Sequence, residues 1–303
     1  MTMSDEKYKL STAEHEAVLQ VIYDDMFGDK QPSERPVAYI LGGQPGCGKS
    51  TLIERSLKSI THGAAVIING DEFRHYHPYA EEIFAADPER FADLTDLDVR
   101  DWTRSVFEKA VNDGYNIIFE GTMRTNQICG TIRNLQSRGY NVNILVLAVP
   151  ELESRLSIYG RYEEQYLRAA NPRFTKTAAH DEAYAGMLST LQQIESEKLY
   201  SSLSVFSRDG SVVFHADKNC PSTGVVAAIE NFRNKVWSQT HYEEYVDHAE
   251  KIVAKIKARN GQSEYIDGIR ELEQRAEAQK KSLNSRELSS LMSGLMMYKK
   301  RQK

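Results

Sequence analysis

The stretch that decides the fold reads Val37-Ala-Tyr-Ile-Leu-Gly-Gly-Gln-Pro-Gly-Cys-Gly-Lys-Ser-Thr51. Its first six residues form a short apolar run that ends in glycines, which is typical of a buried strand. Residues Gly43 to Ser50 match the pattern G-x-x-x-x-G-K-[ST] of a phosphate-binding loop. We predict that residues 50–59 are helical. A strand before such a loop and a helix after it form the context that supports a nucleotide site.

The residue types in this loop suit a polyphosphate. Glycines let successive backbone N–H groups converge on an anion, and the N-terminus of the following helix favours negative charge. The Lys49 ammonium can reach the β- and γ-phosphates, and the Ser50 hydroxyl can bind Mg²⁺. Cys47 is either a small filler or a redox-sensitive thiol beside the helix. We predict that ATP and Mg²⁺ bind at Gly43, Gln44, Pro45, Gly46, Cys47, Gly48, Lys49, Ser50 and Thr51.

Further apolar strands alternate with helical patterns along the chain. Strands are predicted at residues 64–69, 115–119 and 142–149. Helices are predicted at residues 12–26, 87–112 with a break near Asp98, 125–138, and 150–200 with a break at Asn171-Pro172. A hairpin is predicted at residues 204–206 and 212–215, around the turn signal Asp209-Gly210. Alternating strands and helices indicate an α/β fold with a parallel sheet that carries helices on both faces.

The chain changes character after residue 222. Residues 223–303 contain no obvious strand, and helices are predicted at 242–259, from about Ser263, and at 285–298, with Asn260-Gly261 as a break. We therefore predict an α/β domain over residues 1–222 and a helical C-terminal extension over 223–303. The extension is a structural layer, a partner-binding or autoinhibitory element, or a loosely attached tail.

Composition narrows the class of protein. The chain has 303 residues, a net charge of -5 and 41% apolar residues, which is enough for a sizeable core. The mild acidity disfavours a nucleic-acid binder. Its three cysteines are widely spaced, which disfavours a disulfide framework or zinc site and favours a reducing compartment. With no signal peptide pattern and no apolar run of about 20 residues, we expect a soluble cytoplasmic protein with no nucleic-acid or membrane partner.

Polar side chains follow the second and third predicted strands. Gly70-Asp-Glu-Phe-Arg74 comes after the second strand, and a carboxylate there points into the ligand crevice of a parallel sheet. Asp71 is thus placed to accept a proton from an attacking hydroxyl, and Arg74 to contact the substrate. The alternative for Asp71 is a helix cap.

After the third strand comes Glu120-Gly-Thr-Met-Arg124. Glu120 suits a carboxylate linked to Mg²⁺, Thr122 offers a hydroxyl to the substrate, and Arg124 offers a fork to an anion. The alternative for Glu120 is a buried carboxylate that accepts local N–H groups. Later in the chain, Arg161 and Arg173 lie on a helical segment and suit the clamping of a transferring phosphoryl group; alone, each is more typical of a surface arginine.

Together these motifs resemble the zeta toxin family of bacterial toxin–antitoxin systems. The similarity covers roughly Val37 to Ala216 and several motifs in one order: Leu41 to Thr51, Gly70 to Arg74 with His77-Pro78, Gly114 to Arg124, Ala148-Val-Pro150, Arg161-Tyr-Glu163, Asn171-Pro-Arg173 and Ala179-His-Asp181. The resemblance implies a P-loop kinase fold. It also implies transfer of the γ-phosphate of ATP to the sugar 3′-hydroxyl of UDP-N-acetylglucosamine, with an antitoxin protein as a partner.

The resemblance also implies residue roles. Lys49 and Ser50 would hold ATP and Mg²⁺, Asp71 would be the general base, and Arg161 and Arg173 would contact the γ-phosphate. Glu120 and Thr122 would face the metal and the sugar. Arg104 departs from the family pattern, which places a substrate-binding glutamate sixteen residues before the motif glutamate. The acceptor therefore stays open to another nucleotide, such as NAD, or another small molecule. A nucleotide-dependent binding switch is the alternative from another class.

Overall fold

A single six-stranded sheet forms the centre of the computed structural model, which describes residues 6–58, 61–88, 90–168, 174–278 and 280. The strands are β1 Val37–Gly42, β2 Val66–Ile68, β3 Ile117–Glu120, β4 Asn141–Leu147, β5 Ser202–Phe206 and β6 Val212–Asp217. They lie in the order β2-β3-β1-β4-β5-β6. Neighbouring strands run parallel from β2 to β5, and β6 is antiparallel to β5. The predicted parallel sheet and hairpin are confirmed.

Ten α-helices are found in the described part of the chain. They are α1 Thr12–Phe27, α2 Lys49–Leu52, α3 Ala80–Ala86, α4 Phe91–Asp113, α5 Gln127–Ser137, α6 Glu151–Leu167, α7 Thr177–Ser196, α8 Val225–Arg233, α9 Gln239–Ala258 and α10 at residues 263–278. A 3₁₀ helix spans Glu72–Tyr76, and a π-helical turn spans Ile53–Leu57. The predicted helix at 285–298 lies outside the described residues.

Two helix predictions need correction. The predicted break near Asp98 is wrong: α4 continues through it because Val99, Trp102 and Val106 keep one apolar face against the core. The helix predicted after the phosphate loop is α-helical only over α2 and then widens into the π turn. The predicted break at Asn171-Pro172 lies outside the described residues; on either side of it, α6 ends at Leu167 and α7 begins at Thr177.

Both faces of the sheet are covered. The successive β1 residues Ile40 and Leu41 are both fully buried, and neighbouring residues of a strand point to opposite faces. Ile40 packs in the main core with α4 and α5, whereas Leu41 packs with Ile53 and Leu57 beyond the phosphate loop. Burial on both faces explains why the strands read as continuous apolar runs.

The C-terminal helices pack on the α/β core in two places. Val225 and Ile229 of α8 are fully buried in the main core, next to β6 and α7. Helices α9 and α10 form a second cluster with α6, in which Leu152 meets residues such as Ile252. These contacts favour the structural-layer interpretation for residues 225–278, while a domain boundary after residue 222 stays a prediction. None of the helices described is long and apolar enough to cross a membrane.

Candidate active site

A cleft of about 700 Å³ opens where the phosphate loop and the carboxyl ends of β2 and β3 meet. Ligands of open parallel sheets bind at this edge. The cleft is lined by most of the side chains that the sequence singled out, namely Pro45, Lys49, Asp71, Arg74, Glu120, Thr122, Arg124 and Arg161. Residues from four separate segments of the chain therefore converge on one volume, which is large enough for a nucleotide ligand.

The phosphate loop is wound tightly around Lys49. The Lys49 Nζ donates to the carbonyl oxygens of Gly43, at 2.8 Å, and of Gln44, at 3.4 Å. Gly46 and Gly48 adopt left-handed φ values of 78° and 104°. A Cβ at Gly46 would lie 2.1 Å from the Ser154 carbonyl oxygen, so α6 presses directly against the loop. The loop is thus a preformed cradle whose shape depends on α6.

Side chains behind the loop hold this shape. The fully buried Gln44 amide donates to Val149 O at 2.8 Å and to Ser154 Oγ at 3.2 Å, and its Oε1 accepts from Arg233 Nη2 at 3.1 Å. Cys47 is fully buried, which favours the filler interpretation over a reactive thiol. The predicted binding role of Gln44 therefore rests on its backbone, because its side chain anchors the loop from behind.

Ser50 and Thr51 lie exposed in the first turn of α2, directly after Lys49. Their position is the one that the loop pattern predicts for a metal-binding hydroxyl.

Asp71 and Glu120 are linked through Asn69 at the end of β2. The Asn69 Nδ2 donates to Glu120 Oε2 at 3.1 Å, and its Oδ1 accepts from the Asp71 backbone N–H at 3.1 Å. The Asp71 carboxylate makes no capping bond to the following 3₁₀ helix and instead accepts from Arg74 Nε at 3.3 Å. The Asp71 side chain therefore does not cap this helix, and its role as a general base stays a prediction.

Arg74 joins this loop to α4. It is buried and donates to Ala92 O and Thr95 Oγ1, both at 2.7 Å, and it lies 3.6 Å from Asp96. Three partners therefore fix the guanidinium of Arg74 beside Asp71, and its contact with a substrate stays a prediction.

Glu120 is partly buried at the end of β3. Burial raises the pKa of its carboxyl, Lys49 and Arg161 oppose that rise, and the negative charges of Asp71 and Glu72 add to it. The alternative interpretation requires that Glu120 accept hydrogen bonds from local backbone N–H groups. Its bond comes from the Asn69 side chain instead. A bound cation would favour the ionised carboxylate, as expected for a metal-linked side chain.

The segment after β3 is strained. Met123 is buried with φ at 54°, a left-handed value that is costly for a side chain of this size. A Cβ at Gly186 of α7 would lie only 2.1 Å from the Arg124 carbonyl oxygen, so α7 supports this segment from behind. Arg124 itself lies 3.6 Å from Glu182 and lines the cleft. Strain of this kind often marks a functional segment.

Arg161 enters the cleft from α6. Its Nη2 donates to Thr175 Oγ1 at 2.9 Å, and its charge acts on Glu120. The second predicted clamp residue, Arg173, lies outside the described residues. The structure thus brings Arg161 to the same cleft as Lys49 and Asp71.

The cleft is positively charged although the chain is acidic. The cations that line it are Lys49, Arg74, Arg100, Arg104, Arg124 and Arg161, and the carboxylates are Asp71, Asp96 and Glu120. Arg104 is paired with Asp101 at 2.9 Å, and Arg100 with Asp96 at 3.3 Å. This excess of positive charge suits a polyanion such as a nucleotide.

Three contributors to the site were missed from the sequence. Asn69 links the two carboxylates, Arg100 lines the cleft, and Arg208 in the β5–β6 turn donates to Gly46 O at 2.8 Å. Asn69 directly follows β2 and lies two residues before Asp71, so its position could have predicted a place in the site. Arg208 had none, because its partner is 162 residues away.

Oxygen donors are available for a hard cation. No group of three or more His, Cys, Asp or Glu side chains forms a metal site within the described ranges. Ser50 and Glu120 offer a hydroxyl and a carboxylate, which fits Mg²⁺ because this ion is usually held by one or two protein oxygens together with substrate phosphates.

Comparisons with known proteins identify the family of this chain. The family model described as "Zeta toxin" matches residues 23–219. Among curated proteins, the chain is similar to "Toxin zeta" of Enterococcus hirae, with 30% identity over 70% of this chain and 74% of that protein. It is also similar to "Toxin PezT" of Streptococcus pneumoniae, with 31% identity over 71% of this chain and 84% of that protein.

A solved structure supports the fold. It comes from a characterisation of the PezAT chromosomal toxin–antitoxin system of Streptococcus pneumoniae, and it matches with a TM-score of 0.71 and 27% identity. The match covers 82% of this chain and 98% of that chain, so it extends beyond residue 219.

Proposed function

Because the chain belongs to the zeta toxin family, we propose that it transfers the γ-phosphate of ATP to the sugar 3′-hydroxyl of UDP-N-acetylglucosamine. Such a reaction would remove a precursor of cell-wall synthesis. The observation that carries the proposal is the convergence of Lys49, Asp71, Glu120 and Arg161 on one positively charged cleft. The proposal includes a cytoplasmic location and an antitoxin protein as a partner.

Each side chain has a step to perform. Lys49 and the loop N–H groups bind the triphosphate, and Ser50 and Glu120 would hold Mg²⁺, which would supply charge neutralisation. Asp71 accepts the proton of the acceptor hydroxyl, and Arg74 keeps its carboxylate in place through the 3.3 Å bond. Arg161 stabilises the charge that develops on the moving phosphoryl group, and Thr175 holds the guanidinium at 2.9 Å.

A second acceptor is favoured by a specific observation. Arg104 lines the cleft, and its helix α4 lies against the loop of the proposed base, since a Cβ at Gly70 would meet Thr103 Oγ1 at 3.0 Å. A cation at a position where the family pattern has a substrate-binding glutamate changes which groups of an acceptor can bind there. A kinase that acts on another nucleotide, such as NAD, is therefore the alternative.

One experiment tests both acceptors. The purified protein is incubated with ATP and Mg²⁺ and with UDP-N-acetylglucosamine, other UDP-sugars or NAD, and the products are identified by mass spectrometry. We expect a phosphorylated UDP-N-acetylglucosamine, and a loss of at least about 10²-fold in rate for Asp71→Asn because the general base is removed. Asp113→Asn, at an exposed carboxylate that pairs with Lys109, is the control.

The outcomes separate the hypotheses. Phosphorylation of NAD or of a different sugar nucleotide would refute the UDP-N-acetylglucosamine assignment and keep the kinase. ATP binding that depends on Lys49, with no phosphorylated small molecule and no effect of Asp71→Asn, would indicate a binding switch instead.

A further inference from the structure

The C-terminal helices are bonded to α6 close to Arg161. Glu163, two residues after Arg161, has a side chain that is only 1% exposed. Its two carboxylate oxygens accept from Arg259 at the end of α9, with Nε–Oε2 at 2.6 Å and Nη2–Oε1 at 2.7 Å. The pair is bidentate and largely desolvated, which makes its geometry specific.

The two partners of this ion pair come from different parts of the chain. Glu163 lies inside the region that matches the family model, residues 23–219, whereas Arg259 lies beyond it. A buried carboxylate is strongly destabilising when its partner is removed. The conformation of α6 around Arg161 therefore depends on a cation that the C-terminal helices supply.

A stack of aromatic rings makes a second connection. Tyr265 of α10 is stacked on Phe174, with ring centroids 4.6 Å apart and an angle of 14°, and it meets Tyr162 edge to face at 5.3 Å. Phe174 immediately precedes Thr175, whose hydroxyl accepts from Arg161. The same helix approaches α6 closely, because a Cβ at Gly268 would lie 2.1 Å from the Tyr159 hydroxyl.

We propose that α9 and α10 position the phosphoryl-transfer site: Arg259 and Tyr265 hold Arg161 and Thr175 in the cleft. The proposal rests on the proposed function in one respect, since it takes Arg161 to act on the transferring phosphoryl group. It assigns the C-terminal helices a role in activity and opposes the autoinhibitory interpretation of the extension. Arg259 and Tyr265 are positioning residues, because they act through α6 and the 174–176 segment.

The test uses the full chain and hydrolysis of γ-labelled ATP, in which water replaces the acceptor, so that no acceptor needs to be known. Binding of a fluorescent ATP analogue and the melting temperature are measured in parallel. We expect Arg259→Gln to lower the turnover number by roughly 10- to 100-fold, because a misplacement of about 1 Å is enough for such a loss. Nucleotide affinity should change little, since the phosphate loop is not altered.

Arg270→Gln is the matched control. Arg270 lies on α10 and donates to Glu250 at 2.6 Å and to Glu273 at 2.7 Å, so it makes its ion pairs within the C-terminal helices. Its substitution should keep the turnover number. Tyr265→Ala should lower turnover as Arg259→Gln does, whereas Tyr265→Phe keeps the ring and should not.

A double variant separates position from stability. Glu163→Gln combined with Arg259→Gln removes the buried charge, so we expect it to regain a large part of the turnover lost in Arg259→Gln. A turnover number that stays at the wild-type level in Arg259→Gln, despite a lower melting temperature, would reduce the pair to a structural role and overturn the proposal. A rise in turnover would overturn it in favour of autoinhibition. A wild-type protein that neither binds nor hydrolyses ATP would refute the proposed function, and the positioning role would fall with it.

Discussion

At the end of β3, Glu120 combines partial burial with two neighbouring cations and two neighbouring carboxylates. Burial raises the pKa of its carboxyl, while Lys49 and Arg161 hold the rise back. Because the folded protein binds this proton more tightly than the unfolded chain, its contribution to stability is full below the unfolded pKa. That contribution is lost as the pH rises from the unfolded pKa through the raised folded pKa. The ionised form of Glu120, which Mg²⁺ requires, is therefore the form that destabilises the folded protein in the absence of the metal.

Glu120→Gln tests this balance. The amide keeps the shape and cannot ionise, so we expect the melting temperature of the variant to gain on that of the wild type as the pH rises from the ordinary glutamate pKa of about 4.3 through the raised folded pKa. ATP-dependent turnover with Mg²⁺ should fall by about 10- to 100-fold, a size typical of lost metal-site interactions. Melting curves at several pH values without nucleotide provide the measurement. A difference in melting temperature that is constant with pH would contradict the role given to burial.

The roles of single residues differ in how well the sequence predicts them. Lys49, Asp71 and Glu120 could be predicted because each stands at a fixed offset from an apolar strand, and strand ends meet at one edge of a parallel sheet. Asn69 directly follows β2 and carries the same positional signal, although its amide has no charge that would suggest a catalytic role by itself. Arg233 could not be predicted, because its partner Gln44 is 189 residues away and only the folded chain brings them together.

At the scale of elements, strands were the most predictable. The predicted ends of β1 agree with the structure, because an apolar run of this length that stops at two glycines is typical of a buried strand. Helix α4 was less predictable: its aspartates suggested a break, and the packing of Trp102 and Val106 against the core overrides their weak helix propensity. The π turn after α2 had no signal in the local sequence. Tertiary packing decides such details.

Two helical glycines give a prediction at this scale. Glycine to alanine inside a helix normally stabilises a protein by roughly 0.5–1 kcal/mol. Gly130 in α5 has open space around its Cβ position, so Gly130→Ala should follow this rule. At Gly186 a Cβ would press on the Arg124 backbone at 2.1 Å, so Gly186→Ala should destabilise instead. Urea unfolding of both variants measures the two signs.

The same pair reports on the site. Because Arg124 lines the cleft, a displaced Arg124 segment should raise the KM for the acceptor in Gly186→Ala and leave the KM for ATP nearly unchanged. Gly130→Ala should change neither value. If both variants stabilise the protein to the same extent, α7 does not support the Arg124 segment as the structure indicates.

At the scale of the whole molecule, the α/β part and the C-terminal helices contribute residues to the same hydrophobic cores. Helix α8 contributes Val225 and Ile229 to the main core, and α9 and α10 cover Leu152 and Leu156 on α6. The sequence predicted a helical extension because the strand pattern stops after the hairpin. It could not show the packing, since amphipathic helices carry no information on which surface they cover. The predicted boundary after residue 222 therefore marks a change in sequence pattern. We propose that the residues on both sides of this boundary fold together in one cooperative transition.

Shortened chains test this cooperativity. A chain that ends at Pro221 loses two fully buried side chains of the main core, Val225 and Ile229, which together are worth about 3–6 kcal/mol. It also loses Arg259, the partner of Glu163, and exposes the apolar face of α6 that α9 and α10 cover. We expect a stability close to zero, seen as loss of a cooperative melting transition and as rapid proteolysis.

A chain that ends at Asn234 provides the comparison, because it keeps α8 in the main core and removes only α9 and α10 from the described helices. It should melt cooperatively at a temperature below that of the full chain and should show the low turnover expected when Arg161 loses its support. The order of the three stabilities follows from where each helix packs. If the chain ending at Pro221 melts like the full chain and turns over ATP faster, the C-terminal helices inhibit activity and are not needed for stability or for positioning Arg161.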